Sequence, residues 1–95
     1  MDTDQQFGWR AVKAAKNRGK HKVTFEEAAT VFADPLFITV IDDEHSMDEE
    51  RYITIGMSSH RRLLLVAHTE RDGRIWIISA REATRKEERF YAEAE

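Results

Sequence analysis

Six arginines stand where strands of this chain would begin or end: Arg51, Arg61, Arg62, Arg71, Arg74 and Arg81. A guanidinium grips two phosphate oxygens at once and can stabilise the extra charge on a pentacoordinate phosphorus. That is the main demand of metal-free RNA cleavage by the 2'-hydroxyl. Ends of neighbouring antiparallel strands alternate, so Arg51, Arg61, Arg62 and Arg81 should fall into at most two clusters at opposite sheet edges. Proton transfer needs further groups. His68 near the end of a strand, His21 after the first helix and Tyr91 on the last helix are candidates, although a packed sheet histidine and a helix anchor would look the same.

Other chemistries find little support. The four histidines, His21, His45, His60 and His68, lack the spacing that clusters metal ligands, and cysteine is absent, so neither metal nor cofactor is expected. No glycine-rich phosphate loop or nucleophile elbow occurs. The acidic run Asp42–Glu50 lacks the ligand order of a calcium loop and reads as a mobile, solvated segment.

With 95 residues the chain suits one domain, 1–95, which can bury only about 60 to 65% of its unfolded surface. Its formal net charge is -3, but the charges are unevenly placed. Residues 10–22 hold six cations and no acid, whereas residues 23–50 hold nine carboxylates and no Lys or Arg. Two basic segments, the second spanning 51–81, can therefore converge into one patch. Without a signal-like segment or a membrane-length apolar run, a cytoplasmic protein with no membrane partner is expected.

Several elements must position these groups. The polar start, Met1–Gln6, is expected to be disordered. A basic helix follows, with Ala11, Val12, Ala14 and Ala15 able to pack on one side. Thr24 and Glu27 form a capping-box pattern at the start of a second helix, whose stripe Phe25, Ala28, Ala29 and Phe32 must be buried before Asp34-Pro35 ends it. Runs at Leu36–Ile41, Arg51–Met57, Leu63–Thr69 and Arg74–Ala80 read as strands, the last with Ile75, Ile77 and Ser79 on one face and Trp76, Ile78 and Ala80 on the other. Asp72-Gly73 supplies a tight turn. Thr84 and Glu87 repeat the capping pattern before a third helix, anchored by Phe90, whose Tyr91 hydroxyl is free to reach a polar site. The expected fold is α+β: two N-terminal helices, a four-stranded antiparallel β-meander and a C-terminal helix. One sheet face should pack on the first two helices, and the other, with its arginine-lined rim, should meet RNA or a protein partner.

An ordered set of residues carries a further signal: Trp9, Lys13, Asn17, Lys20-His21, Val23-Thr24-Phe25-Glu26-Glu27-Ala28, Phe32, Asp34-Pro35, Glu50-Arg51, Gly56, Ser58, Thr69, Arg71, Ile78-Ser79-Ala80-Arg81 and Ala83. Over nearly the whole chain this pattern resembles the BrnT toxin family. The resemblance implies a RelE-like ribonuclease that halts translation and is neutralised by a BrnA antitoxin with a ribbon-helix-helix DNA-binding domain. It also implies a complex of two toxins and two antitoxins that reaches DNA only through the antitoxin. Three positions depart from the pattern. Arg10 stands in place of an acid, Lys22 in place of a glycine at a backbone bend, and Trp76 in place of an arginine, where it would offer a face for a base to stack on.

On these grounds Arg81 and Arg62 are the expected phosphate and transition-state contacts, with His68, His21 and Tyr91 as acid–base candidates. Lys20, Arg51, Arg61, Arg71 and Trp76 are the expected RNA contacts. The alternative is a non-catalytic module that only binds antitoxin and nucleic acid, which Trp76 and Lys22 favour. Because no metal-ligand set is present in the sequence, RNA cleavage by the purified chain should persist in excess EDTA. Activity that vanishes with EDTA and returns only with zinc or manganese would overturn the metal-free reading.

Overall fold

In the computed structural model, which describes residues 6–94, the chain runs β1 (Phe7–Gly8), α1 (Ala11–His21), α2 (Phe25–Thr30), β2 (Ile38–Ile41), β3 (Tyr52–Met57), β4 (Leu63–Arg71), β5 (Arg74–Glu82) and α3 (Arg85–Glu93). The disorder expected for Met1–Gln6 lies outside the described residues except at Gln6, which lines a groove beside α2. None of the described helices is long and apolar enough to cross a membrane.

The five strands form one sheet in the order β1-β5-β4-β3-β2. Strands β2 to β5 make the expected antiparallel meander, but the sheet is mixed, because β1 adds to it in parallel beside β5, with Phe7 opposite Ile75 and Gly8 opposite Trp76. A two-residue strand carries no periodicity, so the sequence pattern could not announce it. Gly8 is needed for this pairing: a Cβ there would meet the Trp76 ring at 2.6 Å.

Residues Val23, Phe25, Ala28 and Val31 meet Leu64, Val66, Ile77 and Ala80 from the sheet to form the core. Each valine, leucine, isoleucine or phenylalanine among them contributes roughly 1.5 to 3 kcal/mol by leaving water. Thr24 caps α2 by accepting the Glu27 N–H at 3.0 Å, and Pro35 follows the 3-10 turn Val31–Ala33 that continues the helix. At the end of α1, Lys22 takes the left-handed conformation, φ 59°, which is the bend that a glycine would make without strain. Asp72 and Gly73 supply the two positive-φ positions of the β4–β5 turn.

Three expectations need correction. Ala11, Val12 and Ala15 face solvent, and of the four small residues on α1 only Ala14 is half-buried. Phe90 is 47% exposed, so α3 is anchored instead by Tyr91, whose hydroxyl donates to Asp34 Oδ2 at 2.6 Å. The strict alternation expected in β5 also fails. Ala67 pairs with Ser79 but His68 with Ile77, leaving Ile78 as an extra, bulged residue. The phase then inverts, and Ile77 and Ala80 both enter the core.

Beyond the reach of short β1, the outer backbone of β5 would be left unpaired. Asn17 on α1 replaces the missing strand. Its amide donates to the carbonyls of Val23 and Ala80 at 3.0 and 2.8 Å, and its carbonyl accepts the Ala80 N–H at 3.0 Å. A side-chain amide here completes the pairing a peptide would make. Asn17→Leu keeps the volume but strands these buried groups, at about 1 to 3 kcal/mol each. We expect a loss of at least about 3 kcal/mol, or a fall in Tm of roughly 12 °C or more. A loss below about 1 kcal/mol in urea unfolding would remove Asn17 from this role.

Candidate functional site

The densest polar cluster is built around Glu27, whose side chain is 3% exposed. Its first-turn position on α2 aims the carboxylate at the β3–β4 turn rather than back at the Thr24 N–H, so the reciprocal half of the expected capping box does not form. Arg62 holds it with two prongs, Nε to Oε2 at 3.0 Å and Nη2 to Oε1 at 2.6 Å. Ser58 donates to Oε2 at 2.7 Å, while its own oxygen accepts the backbone N–H groups of His60 and Arg62. Arg62 also donates to the Lys22 carbonyl at 2.9 Å and to Glu82 at 3.1 Å. The Arg62 hydrogen bonds pull the Glu27 carboxyl down to about 2, overcoming burial, with Ser58 assisting.

This hub brings the last turn of α1, with Lys20 and His21, beside the turn that carries His60 and Arg61. The end of β5, with Arg81, and the start of α3 lie at the same end of the sheet. Arg81 is bidentate to Glu87, with both Nη–Oε contacts at 2.9 Å. Glu87 also completes the capping box with Thr84, and the Arg81 hydrogen bonds bring its carboxyl to about 2 against burial. Arg62 and Arg81, the expected phosphate contacts, thus each have their planar fork on a carboxylate.

Arg51, Arg71 and Trp76 occupy the other end. The eight steps of β4 from Leu63 to Arg71 separate the two ends by about 26 Å, too far for one active site. Arg71 donates to Glu49 at 2.9 Å and lies 5.0 Å over the Trp76 ring, which Gly8 also approaches. The acidic segment 42–50 belongs to this end. It contains the 3-10 turn Asp43–His45, and Ser46 ties it down by donating to Asp42 O at 2.7 Å and accepting the Arg51 N–H at 2.9 Å.

His68 lies between the ends and is buried on the core face. Its Nε2 meets Thr54 Oγ1 at 2.7 Å, Thr54 meets Thr39 at 2.6 Å, and Phe32 and Tyr52 enclose the ring. Burial pushes the imidazole down to about 4. Tyr91 is committed to Asp34. Burial raises the Asp34 carboxyl, but hydrogen bonds from Tyr91, Met57 and Leu36 bring it below its ordinary value. His60 did not stand out in the sequence. It is 68% exposed, with Nδ1 3.3 Å from Glu27, and only a spacing rule linking residue 27 to a turn 33 positions later could have marked it. Among the described residues no three His, Asp or Glu side chains cluster as a metal site.

The model of the ribonuclease toxin family BrnT, of type II toxin-antitoxin systems, matches residues 9–87. Among solved structures, the 1.1 Å crystal structure of the Brucella abortus ribonuclease toxin BrnT is similar. It superposes with a TM-score of 0.60 at 17% identity over 83% of this chain and 96% of that one, a likeness of fold. No match was found among curated proteins.

The hub and the buried histidine set the acid limb of stability. The unfolded chain takes up a proton on His68 near pH 6.5 that the folded chain refuses until about 4, so stability falls as pH drops through that window. Glu27 and Glu87, depressed from 4.5 to about 2, add a second fall below 4.5. Glu27→Gln should cost about 3 kcal/mol at pH 7 and flatten the lower limb, leaving Glu87 and the depressed Asp34 carboxyl to titrate there. Urea unfolding at pH 7, 5.5 and 3 tests this, and an unchanged limb in Glu27→Gln would contradict it.

Proposed function

Because the chain belongs to the BrnT family of ribonuclease toxins from type II toxin-antitoxin systems, we propose that it cleaves RNA, and does so at the hub end of the sheet. The observation that carries this reading is the separation of charge along the strands. Arg18, Lys20, Lys22, Arg61 and Arg85 gather at one end, and none has a carboxylate partner among the described residues. The six carboxylates of 42–50 sit at the other end and repel a polyanion.

In this reading Arg61 and Lys20 bind phosphates. His21 and His60 are the solvent-reached imidazoles placed to take the 2'-hydroxyl proton and to return one to the leaving 5'-oxygen. Glu27 orients His60 through Nδ1. Arg62 and Arg81 hold the frame, since neither can grip a phosphate bidentately without releasing its carboxylate. Catalysis without a metal, arrest of translation in the cytoplasm, and neutralisation by a BrnA-like ribbon-helix-helix antitoxin in a two-plus-two complex belong to the same proposal. DNA is then reached only through the antitoxin.

A second reading has one specific support. With Arg62 and Arg81 paired, His68 buried and Tyr91 committed, much of the expected catalytic set is occupied, as in a homologue that binds without cleaving. One experiment separates the readings. The double variant Lys20→Ala/Arg61→Ala should lose at least about tenfold in cleavage and flatten the salt dependence of RNA binding by about 0.7 per lost contact. Arg51→Ala/Arg71→Ala should stay within about threefold, as should Arg81→Lys, whose task on Glu87 a lysine partly keeps. Equal tolerance at both ends would sink the assignment of the site, and wild-type RNA binding without any cleavage would establish the non-catalytic reading.

A further inference from the structure

We propose that the open edge of β2 receives an added strand from a protein partner, an extended segment of alternating apolar residues followed by lysine or arginine. The proposal rests on the toxin reading for the partner's identity, the antitoxin.

Among the described residues, strand β2 lies at the edge of the sheet and has a neighbour only in β3. The Asp42 N–H bonds inward to the Arg51 carbonyl at 2.8 Å. Alternation then turns the backbone of Ile38 and Val40 inward as well, and the N–H and C=O groups of Thr39 and Ile41 outward. Natural edge strands are blunted by lysine, proline, a bulge or a covering element. Among the described residues, this one has none of these along Leu36–Ile41. It exposes Leu36 (48%), Phe37 (42%), Val40 (42%) and Ile41 (51%), and Val40 and Ile41 point to opposite faces. The apolar surface continues through the Phe32–Phe37 ring contact at 5.9 Å into a groove of about 750 Å³ lined by Trp9, Ala29, Pro35 and Met57.

Charge selects the occupant. Past Ile41 the edge runs into the acidic segment, where Asp43, Glu44 and Asp48 meet no cation among the described residues. Residues 34–50 contain no Lys or Arg, so a second copy paired β2 to β2 would lay these carboxylates beside the partner's Leu36 and Phe37 with no countercharge. A partner strand with cations beyond its apolar stretch satisfies both features at once, by main-chain hydrogen bonds and by ion pairs.

The probe is the protein encoded by the reading frame adjacent to this one, added to the full chain. Binding should slow hydrogen exchange at the Thr39 and Ile41 amides at least about tenfold. Val40→Lys should weaken the complex at least about tenfold. The exposed-loop variant Asp43→Lys/Glu44→Lys, which does not touch the strand, should weaken it and reduce its salt dependence. Both variants should still arrest growth when expressed alone. A complex of unchanged Kd in both variants, with 38–41 unprotected, would overturn the added strand while leaving the toxin reading intact. Absence of growth arrest by the wild-type chain would instead defeat that reading, and protection of Thr39 and Ile41 by the same neighbour would still uphold the edge.

Discussion

A buried carboxylate needs a reason to remain charged, and in this molecule the reason is Arg62. Leaving water costs an ion several kcal/mol, and only near-complete hydrogen bonding in a good geometry offsets that cost. Glu27 receives two prongs of Arg62 and the Ser58 hydroxyl, and Arg62 spends a further donor on the Lys22 carbonyl. The pair therefore does more than cancel a charge. It fixes where α1 ends, where α2 begins and how the β3–β4 turn folds, and Asn17 to the Val23 carbonyl and the Ser59 N–H to Thr30 join the same segments. The exposed contact to Glu82, whose side chain is 62% accessible, adds little energy. Its effect is to align the end of β5 with the same hub.

Hydrogen-bond accounting along the sheet explains the rest of the architecture. On one side, β5 would be an edge, but β1 covers its first residues and Asn17 covers Ala80. The bulge at Ile78 turns Ala80 toward the core and α1. The same phase change places Arg81 away from the core, where Glu87 of α3 meets it. On the other side, β2 has no such cover among the described residues. The two edges are thus treated differently by one small chain, and the untreated edge is also the more apolar one.

Local signals in the sequence were sufficient for most of the fold. The stripe Phe25, Ala28, Ala29 and Phe32, the Asp-Gly turn and the second capping box depend on residues within a few positions of one another, and each forms as its pattern implies. What escaped depends on partners far along the chain. Glu27 reads as half of a capping box until residues 58 and 62 are in place, and Asn17 reads as a polar helix residue until Ala80 arrives. Strand β1 is too short for any pattern. The site was legible in the same proportion: the collection of arginines at two opposed ends follows from strand alternation, whereas which guanidiniums already hold carboxylates depends on tertiary contacts. Arg61, beside Arg62 in sequence, keeps its side chain in solvent because positive φ at that residue turns the chain sharply there. No neighbour-based rule separates the two.

The separation of charge along the strands gives these features a common consequence. A net charge of -3 would repel RNA if spread evenly, and an even spread would also leave β2 without a distinguishing neighbour. At about 8 Å, the Debye length under physiological salt is far shorter than the roughly 26 Å between the two ends. Each end therefore presents its own sign to an approaching molecule almost independently of the other. A polyanion is drawn to the α1 terminus and the β3–β4 turn. A cationic strand is drawn to the segment that follows β2. Because the hub is held by its own hydrogen bonds at the first of these ends, a change of charge at the acidic end leaves untouched the contacts that position the α1 terminus and the β3–β4 turn.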